Sequence, residues 1–324
     1  LLVAAFALAF ISPHLDFRTA AQQIKSRLPG ATKFVATSTA GELSIDPSAN
    51  GPALYCSADG MWSTVIIQLF SAEMIADVSL HTVRLFSEDI RAGQPTRSID
   101  ERVDLLRREL ARVKPAFNLD PTQTFALTLI DGLSASESFL MEAVHRDGRF
   151  PCLFVGGSAG GKLDFKDTWL FDGSVVVQNA AVIAFVRMAP DKRFGIFKTH
   201  NFRKTDKSFL ICSADPVRRT VTHVAESDEL APANFVETLA RHFRCTPETL
   251  AERMRDVTFG IEIEGEVFVR SVATVDVAKG AVHFYCDLAA GDRLNEWITH
   301  VGSAVFLIPA GTAEGEYWGE ALLG

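Results

Sequence analysis

The chain has no surplus of positive charge: 32 Lys and Arg stand against 40 Asp and Glu, for a formal net charge of −8. Non-specific nucleic-acid binding needs a basic face that displaces counterions from phosphate, so a nucleic-acid partner is not expected. The densest basic stretch, Arg102 to Lys114, is interleaved with Asp104 and Glu109 and reads as a solvated helix face. The five cysteines, Cys56, Cys152, Cys212, Cys245 and Cys286, form no C-x-x-C pair. That excludes a zinc ribbon, a thioredoxin motif and covalent haem attachment. An odd set of free thiols points to a reducing, cytoplasmic compartment. None of the eight histidines sits in H-E-x-x-H or another metal spacing. No long polar stretch predicts disorder. The apolar run Leu1 to Ile11 lacks a basic start and is too short to span a bilayer, so it reads as a buried strand, with no membrane partner.

What is there is an internal repeat. Phe6-Ala7-Leu8-Ala9-Phe10, a helical stretch and Lys33 to Leu43 can be laid over Phe125-Ala126-Leu127-Thr128-Leu129, a helical stretch and Leu153 to Leu163. Phe34 then matches Phe154, Val35 matches Val155, Ser38 matches Ser158 and Gly41 matches Gly161. Each unit reads as β-α-β. A near-continuous apolar strand is followed by a capped amphipathic helix and a second strand that ends in a glycine-bearing turn. Asp16 caps the first helix, with Ala20, Ile24 and Leu28 on one stripe, and Pro29-Gly30 ends it. Ser134 and Glu137 are expected to form a capping box at the start of the second. Parallel pairs joined by such crossovers imply a mixed or parallel sheet.

Between the units lie β-rich segments (53–57 and 63–70) and a helix capped by Ser98 and Glu101, with Val103, Leu106, Leu110 and Val113 on its buried side. After the second unit, Asp172-Gly173 suits a hairpin. From Ala189-Pro190 the chain alternates strands (209–212, 220–224, 267–275, 281–286) with helices near 232–243 and 247–255. The expected fold class is α/β and α+β in two parts. Residues 1–188 hold the two related β-α-β units and a mixed sheet; residues 189–324 form an α+β half.

These residues resemble the FIST domain family, in both its N-terminal and C-terminal parts. The resemblance rests on Ala9 to Asp16, on Ala36-Thr37-Ser38-Thr39-Ala40-Gly41-Glu42, on Asp131-Gly132, on Val155 to Gly161 with Asp167 to Gly173, and on Lys198 to Phe202 with Ser213 to Pro216. It covers nearly the whole chain. The sequence departs from the family pattern at Ala36-Thr37, where members often carry Gly-Cys. It also ends at Leu323-Gly324 before an expected closing segment, so the C-terminal part is expected to be truncated. The resemblance implies a small-ligand sensor of bacterial signal transduction acting on a partner histidine kinase or cyclic-dinucleotide enzyme. One branch of the family binds haem b and senses nitric oxide; other members are proposed to bind amino acids or other metabolites. Under the haem reading, His200 is the candidate axial ligand, with Phe197 and Phe202 as apolar pocket walls.

Two enzymatic readings compete. Gly156-Gly157-Ser158-Ala159-Gly160 fits G-x-S-x-G, the nucleophile elbow of serine hydrolases, but the helix that should follow the serine is missing. Gly156, Gly161 and Lys162 fit a phosphate loop except that Leu163 replaces the magnesium-binding Ser or Thr. No enzyme activity is expected. Glycines also let a chain turn tightly and pass close to another strand. The functional expectation is that the two glycine-bearing turns line one cleft beyond the strand carboxyl ends. Ser38, Thr39, Gly41, Asp131, Gly156, Gly157, Ser158 and Gly161 would there contact a small polar ligand through backbone N–H groups and hydroxyls.

Overall fold

A computed structural model describes residues 4–44, 54–57, 61–195, 202–226, 231–255, 257–299, 304–307 and 320–323. The chain divides into two compact units, Leu1–Ile196 and Phe197–Gly324.

The first unit contains β1 (Ala4–Ile11), α1 (Phe17–Arg27), β2 (Lys33–Ser38), β3 (Gly41–Ser44), β4 (Leu54–Ser57), β5 (Val65–Ser71), β6 (Ile75–Arg84), α2 (Glu88–Arg91), α3 (Ile99–Leu110), β7 (Thr124–Asp131), α4 (Glu137–Asp147), β8 (Leu153–Ala159), β9 (Leu170–Phe171), β10 (Val176–Val177) and β11 (Ala180–Met188). Both expected β-α-β units form. β1 and β2 run parallel with Phe6 beside Lys33, and β7 and β8 run parallel with Phe125 beside Leu153. They sit in different sheets, one ordered β10-β9-β2-β1-β5 and the other β6-β11-β7-β8. In both sheets the first strand of the repeat also has an antiparallel neighbour, β5 or β11.

Strand alternation explains the layering. Phe6 and Leu8 of β1 join Val78, Leu129, Val182 and Ala184 in a core between the two sheets. Ala7, Ala9 and Ile11 point the other way and pack with Phe17 and Ala21 of α1. The far side of the second sheet carries α3 and α4, which pack on each other. Val103, Leu106 and Leu110 of α3 are fully buried, as the period of the sequence indicates. The unit is thus a helix, two facing sheets and a helix pair.

Local chemistry sets the helix ends. Asp16 accepts from the Thr19 amide at 2.7 Å. Ser98 and Glu101 form the full reciprocal capping box. The box expected from Ser134 and Glu137 does not form. Residues 132–134 make a short 3-10 turn, Ala135 takes a left-handed φ of 48°, and the helix starts two residues later than that box requires, with Ser136 as N-cap. Glu137 is therefore the first helical residue, and its carboxylate reaches Ser158 instead.

The second unit is built on an eight-stranded sheet. It comprises β12 (Phe202–Asp215), β13 (Thr220–Ala225), β14 (Ala233–Asn234), α5 (Phe235–His242), α6 (Leu250–Arg253), β15 (Val257–Ile263), β16 (Glu266–Arg270), β17 (Val272–Asp276), β18 (Ala281–Phe284) and β19 (Arg293–Thr299), followed by the paired β20 (Ala304–Leu307) and β21 (Glu320–Leu323). The sheet order is β16-β15-β19-β12-β13-β18-β17 with β14 on β13. Its first and last strands follow each other in the chain across Ser271, so the sheet curls around a core of Phe209, Phe235, Leu239, Phe259 and Val282. Fold class is mixed α/β with mixed sheets, as the sequence indicates. Among the described residues no helix is long and apolar enough to cross a membrane.

Candidate functional site

The carboxyl ends of β1, β2 and β7 meet. The Ser38 hydroxyl donates to the Gly160 carbonyl at 2.6 Å and accepts from the Trp169 amide at 2.8 Å, while the Gly160 amide donates to the Ser38 carbonyl at 3.0 Å. The two bends are therefore neighbours, as the repeat implies, but they close on each other without a gap. A Cβ at Gly160 would overlap the backbone nitrogen of Ala40, so glycine is what allows this approach.

Each expected ligand contact can now be placed. Ser38 is 1% exposed and both partners of its hydroxyl are backbone groups. Thr39 is buried, donating its hydroxyl to Glu42 Oε1 at 2.7 Å. Gly41 opens β3 with φ 151°. Asp131 is fully buried and accepts four hydrogen bonds. They come from Arg91 Nη1 at 2.8 Å, the Asn179 amide at 2.5 Å, the Leu133 amide at 3.1 Å and the Thr168 hydroxyl. Gly161 lies against the Asp167 carbonyl. The segment 160–169 thus ties Ser38, through Gly160 and Trp169, and Asp131, through Thr168, into one hydrogen-bonded frame that holds strands and turns together. The polar side-chain atoms of Ser38 and Asp131 are taken up by contacts within the protein.

Gly156, Gly157 and Ser158 lie apart from that frame on β8, an exposed edge strand, with open space around Gly157. Gly156 carries no side chain because a Cβ would strike the Thr128 carbonyl of β7. Ser158 donates to Glu137 Oε1 at 2.5 Å. It lies inside a strand, and residues 160–169 form no helix, so the G-x-S-x-G match does not build an elbow. β2 and β8 diverge here: β9 covers β2, whereas nothing among the described residues pairs with the outer edge of β8.

A different set of polar atoms stands without partners at the same end of β1. The Thr39 amide donates to the Ile11 carbonyl at 3.2 Å, joining the bend after β2 to the end of β1. The next residue, Ser12, donates through its hydroxyl to the Trp62 carbonyl at 2.6 Å and accepts from the His14 amide at 3.2 Å. The His14 ring meets the Trp62 ring edge-on at 4.8 Å between centroids. Within this connected patch Glu42 Oε2, Trp62 Nε1 and His14 Nε2 are buried atoms with no hydrogen-bond partner among the described residues. Glu42 and Trp62 are 4% and 8% exposed. Leaving a buried polar group unpaired costs about 1–3 kcal/mol, so each of the three would gain from a polar partner. Sequence reasoning missed these three. The available signal was that His14 and Glu42 lie within a few residues of the ends of β1 and β2.

His200 and Phe197 lie outside the described residues. Among the described residues no cluster of three or more His, Cys, Asp or Glu could hold a metal ion. His81 is half-buried and bonded to Ser79, and burial pushes its imidazole pKa down. His242 is engaged by Glu296 at 2.7 Å. A cavity of about 310 Å³ in the second unit is lined by Met254, Arg255, Thr258 and Ser271, and one of about 400 Å³ in the first by Arg84, Glu88 and Asn179. Neither of these two cavities is lined by a histidine.

A family model described as FIST N domain matches residues 5–225. No curated protein matches the chain.

Proposed function

The chain belongs to the FIST N domain family, which groups small-ligand sensory domains of signalling, and from that premise we propose that it senses a small polar molecule held at the carboxyl end of β1. The observation that carries this is the patch of Glu42, His14 and Trp62, whose buried acceptor, ring nitrogen and indole donor lack partners among the described residues. A ligand with both donors and acceptors would pair all three. The patch also lies where α/β sheets take their ligands, beyond the ends of parallel strands. Binding there would tie β3 to β1 and to the segment before β5, and so favour one arrangement of these elements over another. The change would pass to a partner protein, for which a histidine kinase or cyclic-dinucleotide enzyme is the proposal carried by the family resemblance.

The test adds amino acids, other small metabolites and haem singly and follows the melting temperature, because a ligand of the native state must raise it. One compound is expected to raise it by several degrees. The rise should disappear in Glu42→Gln and in Trp62→Phe, which remove one charge and one N–H, the second together with part of a buried ring. A Soret band after haem addition would assign the haem version. No stabilisation by any compound, or stabilisation that survives both substitutions, overturns this site.

A further inference from the structure

Four strands end the two larger sheets of the first unit: β10 and β5 in one, β6 and β8 in the other. A sheet edge presents unpaired N–H and C=O groups, and proteins guard it by shortness, charge, proline or glycine. β10 has two residues. β6 carries Asp77, His81 and Arg84. β8 contains Gly156-Gly157 and follows Pro151. β5 has none of these guards. It is seven residues long, Val-Ile-Ile-Gln-Leu-Phe-Ser, and the stretch 63–71 contains no charge, glycine or proline. Among the described residues it pairs with β1 alone.

Side-chain alternation divides β5 in a telling way. Phe70 turns inward, stacks on Phe6 at 5.7 Å and packs against the core between the sheets. Ile67 and Leu69 take the opposite face and are 43% and 58% exposed. Gln68 is exposed between them.

We propose that β5 is the interface with a second copy of this chain, pairing antiparallel about a two-fold axis through Gln68. The open edge demands an extended strand as its partner. Among the four edge strands of these two sheets β5 alone combines length with an absence of charge and of glycine, so a second copy, whose net charge is also −8, meets no like charge along it. The register is self-complementary. In antiparallel pairing about Gln68, Ile67 stands opposite Leu69 of the other copy, twice, and Ile66 opposite Phe70, twice, so each exposed apolar side chain of β5 gains an apolar cross-strand neighbour. The five-stranded sheets of two chains become one continuous sheet. The inference does not depend on the ligand patch.

The test is sedimentation over a wide concentration range, with circular dichroism to check folding. The wild type is expected to dimerise. Ile67→Lys with Leu69→Lys in one protein, and Ile67→Glu with Leu69→Glu in another, change only exposed positions, and each places like charges opposite one another. Each should associate roughly a hundredfold more weakly than the wild type. An equimolar mixture of the two should recover the dimer, because unlike charges then face across the axis. Gln68→Cys should cross-link on mild oxidation where the wild type does not, since opposed Cα atoms lie about 4.5–5.5 Å apart, within reach of a disulfide. A wild type that stays monomeric at the highest concentration overturns the proposal. So does a dimer that persists in both double variants.

Discussion

The Ser38 hydroxyl and the Gly160 carbonyl, 122 positions apart in the chain, are joined at 2.6 Å. This bond and its backbone companion fasten the end of one β-α-β unit to the end of the other. Ser38→Ala would leave the Gly160 carbonyl and the Trp169 amide each one bond short in a buried place. The expected loss is about 2–3 kcal/mol, read as a fall in the urea midpoint. Gly160→Ala should lower the midpoint too, because the added methyl must displace the Ala40 backbone.

Asp131 is the second fastening. Its carboxylate serves donors from α2, from the turn after β7, from Thr168 and from the start of β11. Asp131→Asn keeps the shape but points an amide N–H at existing donors and leaves Arg91 without its counter-charge. A loss of about 3–5 kcal/mol is expected from equilibrium unfolding. Thr168→Val, which removes a single hydroxyl, should cost about 1 kcal/mol by the same measurement.

Asp89 sets an acid limit. The Arg102 side-chain hydrogen bonds hold its carboxyl well below the usual range, with further hydrogen bonds from the Thr96 and Arg97 amides. A depressed folded-state pKa contributes stability that is present above the unfolded value near 3.9 and disappears as pH falls through the folded value. Urea midpoints taken from pH 6 downward should therefore drop steeply below about pH 4. In Asp89→Asn the midpoint should start lower at pH 6 and lose part of that acid slope.

Ser158 and Glu137 meet at the surface, so Ser158→Ala is expected to change stability by no more than about 0.5 kcal/mol. A fluorophosphonate probe should not label Ser158, because the serine lies within β8 rather than on a strand-to-helix elbow. Labelling of the wild type that vanishes in Ser158→Ala would establish a hydrolase and displace the sensor reading.

Much of this was legible in the sequence because local rules and tertiary packing agree. The α3 stripe from Val103 to Val113 and its Ser98–Glu101 box are examples. The paired β-α-β units could be read because both sets of residues obey the same period. Ser134 misled because one left-handed residue, Ala135, moves the helix start, and a spacing rule cannot see φ. The strands β15 and β19 escaped notice because their residues fit several local structures and only sheet pairing selects one. The adjacency of the two bends was readable, but their closeness was not. Whether two glycine-bearing turns leave a hollow or interlock depends on tenths of an ångström at Gly160 and Ala40. The orphaned atoms of Glu42 and Trp62 were equally hidden, since a lack of partners is a property of assembled neighbours.

β2 lies in the middle of its sheet, yet one of its neighbours, β9, is contributed by Leu170 and Phe171, far downstream. During synthesis the first β-α-β unit therefore emerges with an uncovered apolar flank and waits for most of the unit to leave the ribosome before that flank closes. Such long-range closure slows folding and leaves nascent chains prone to clumping. Fragments that stop before Phe171 should come out of cells insoluble, whereas those reaching Ile196 should not, and the organism's chaperones are expected to attend this chain early.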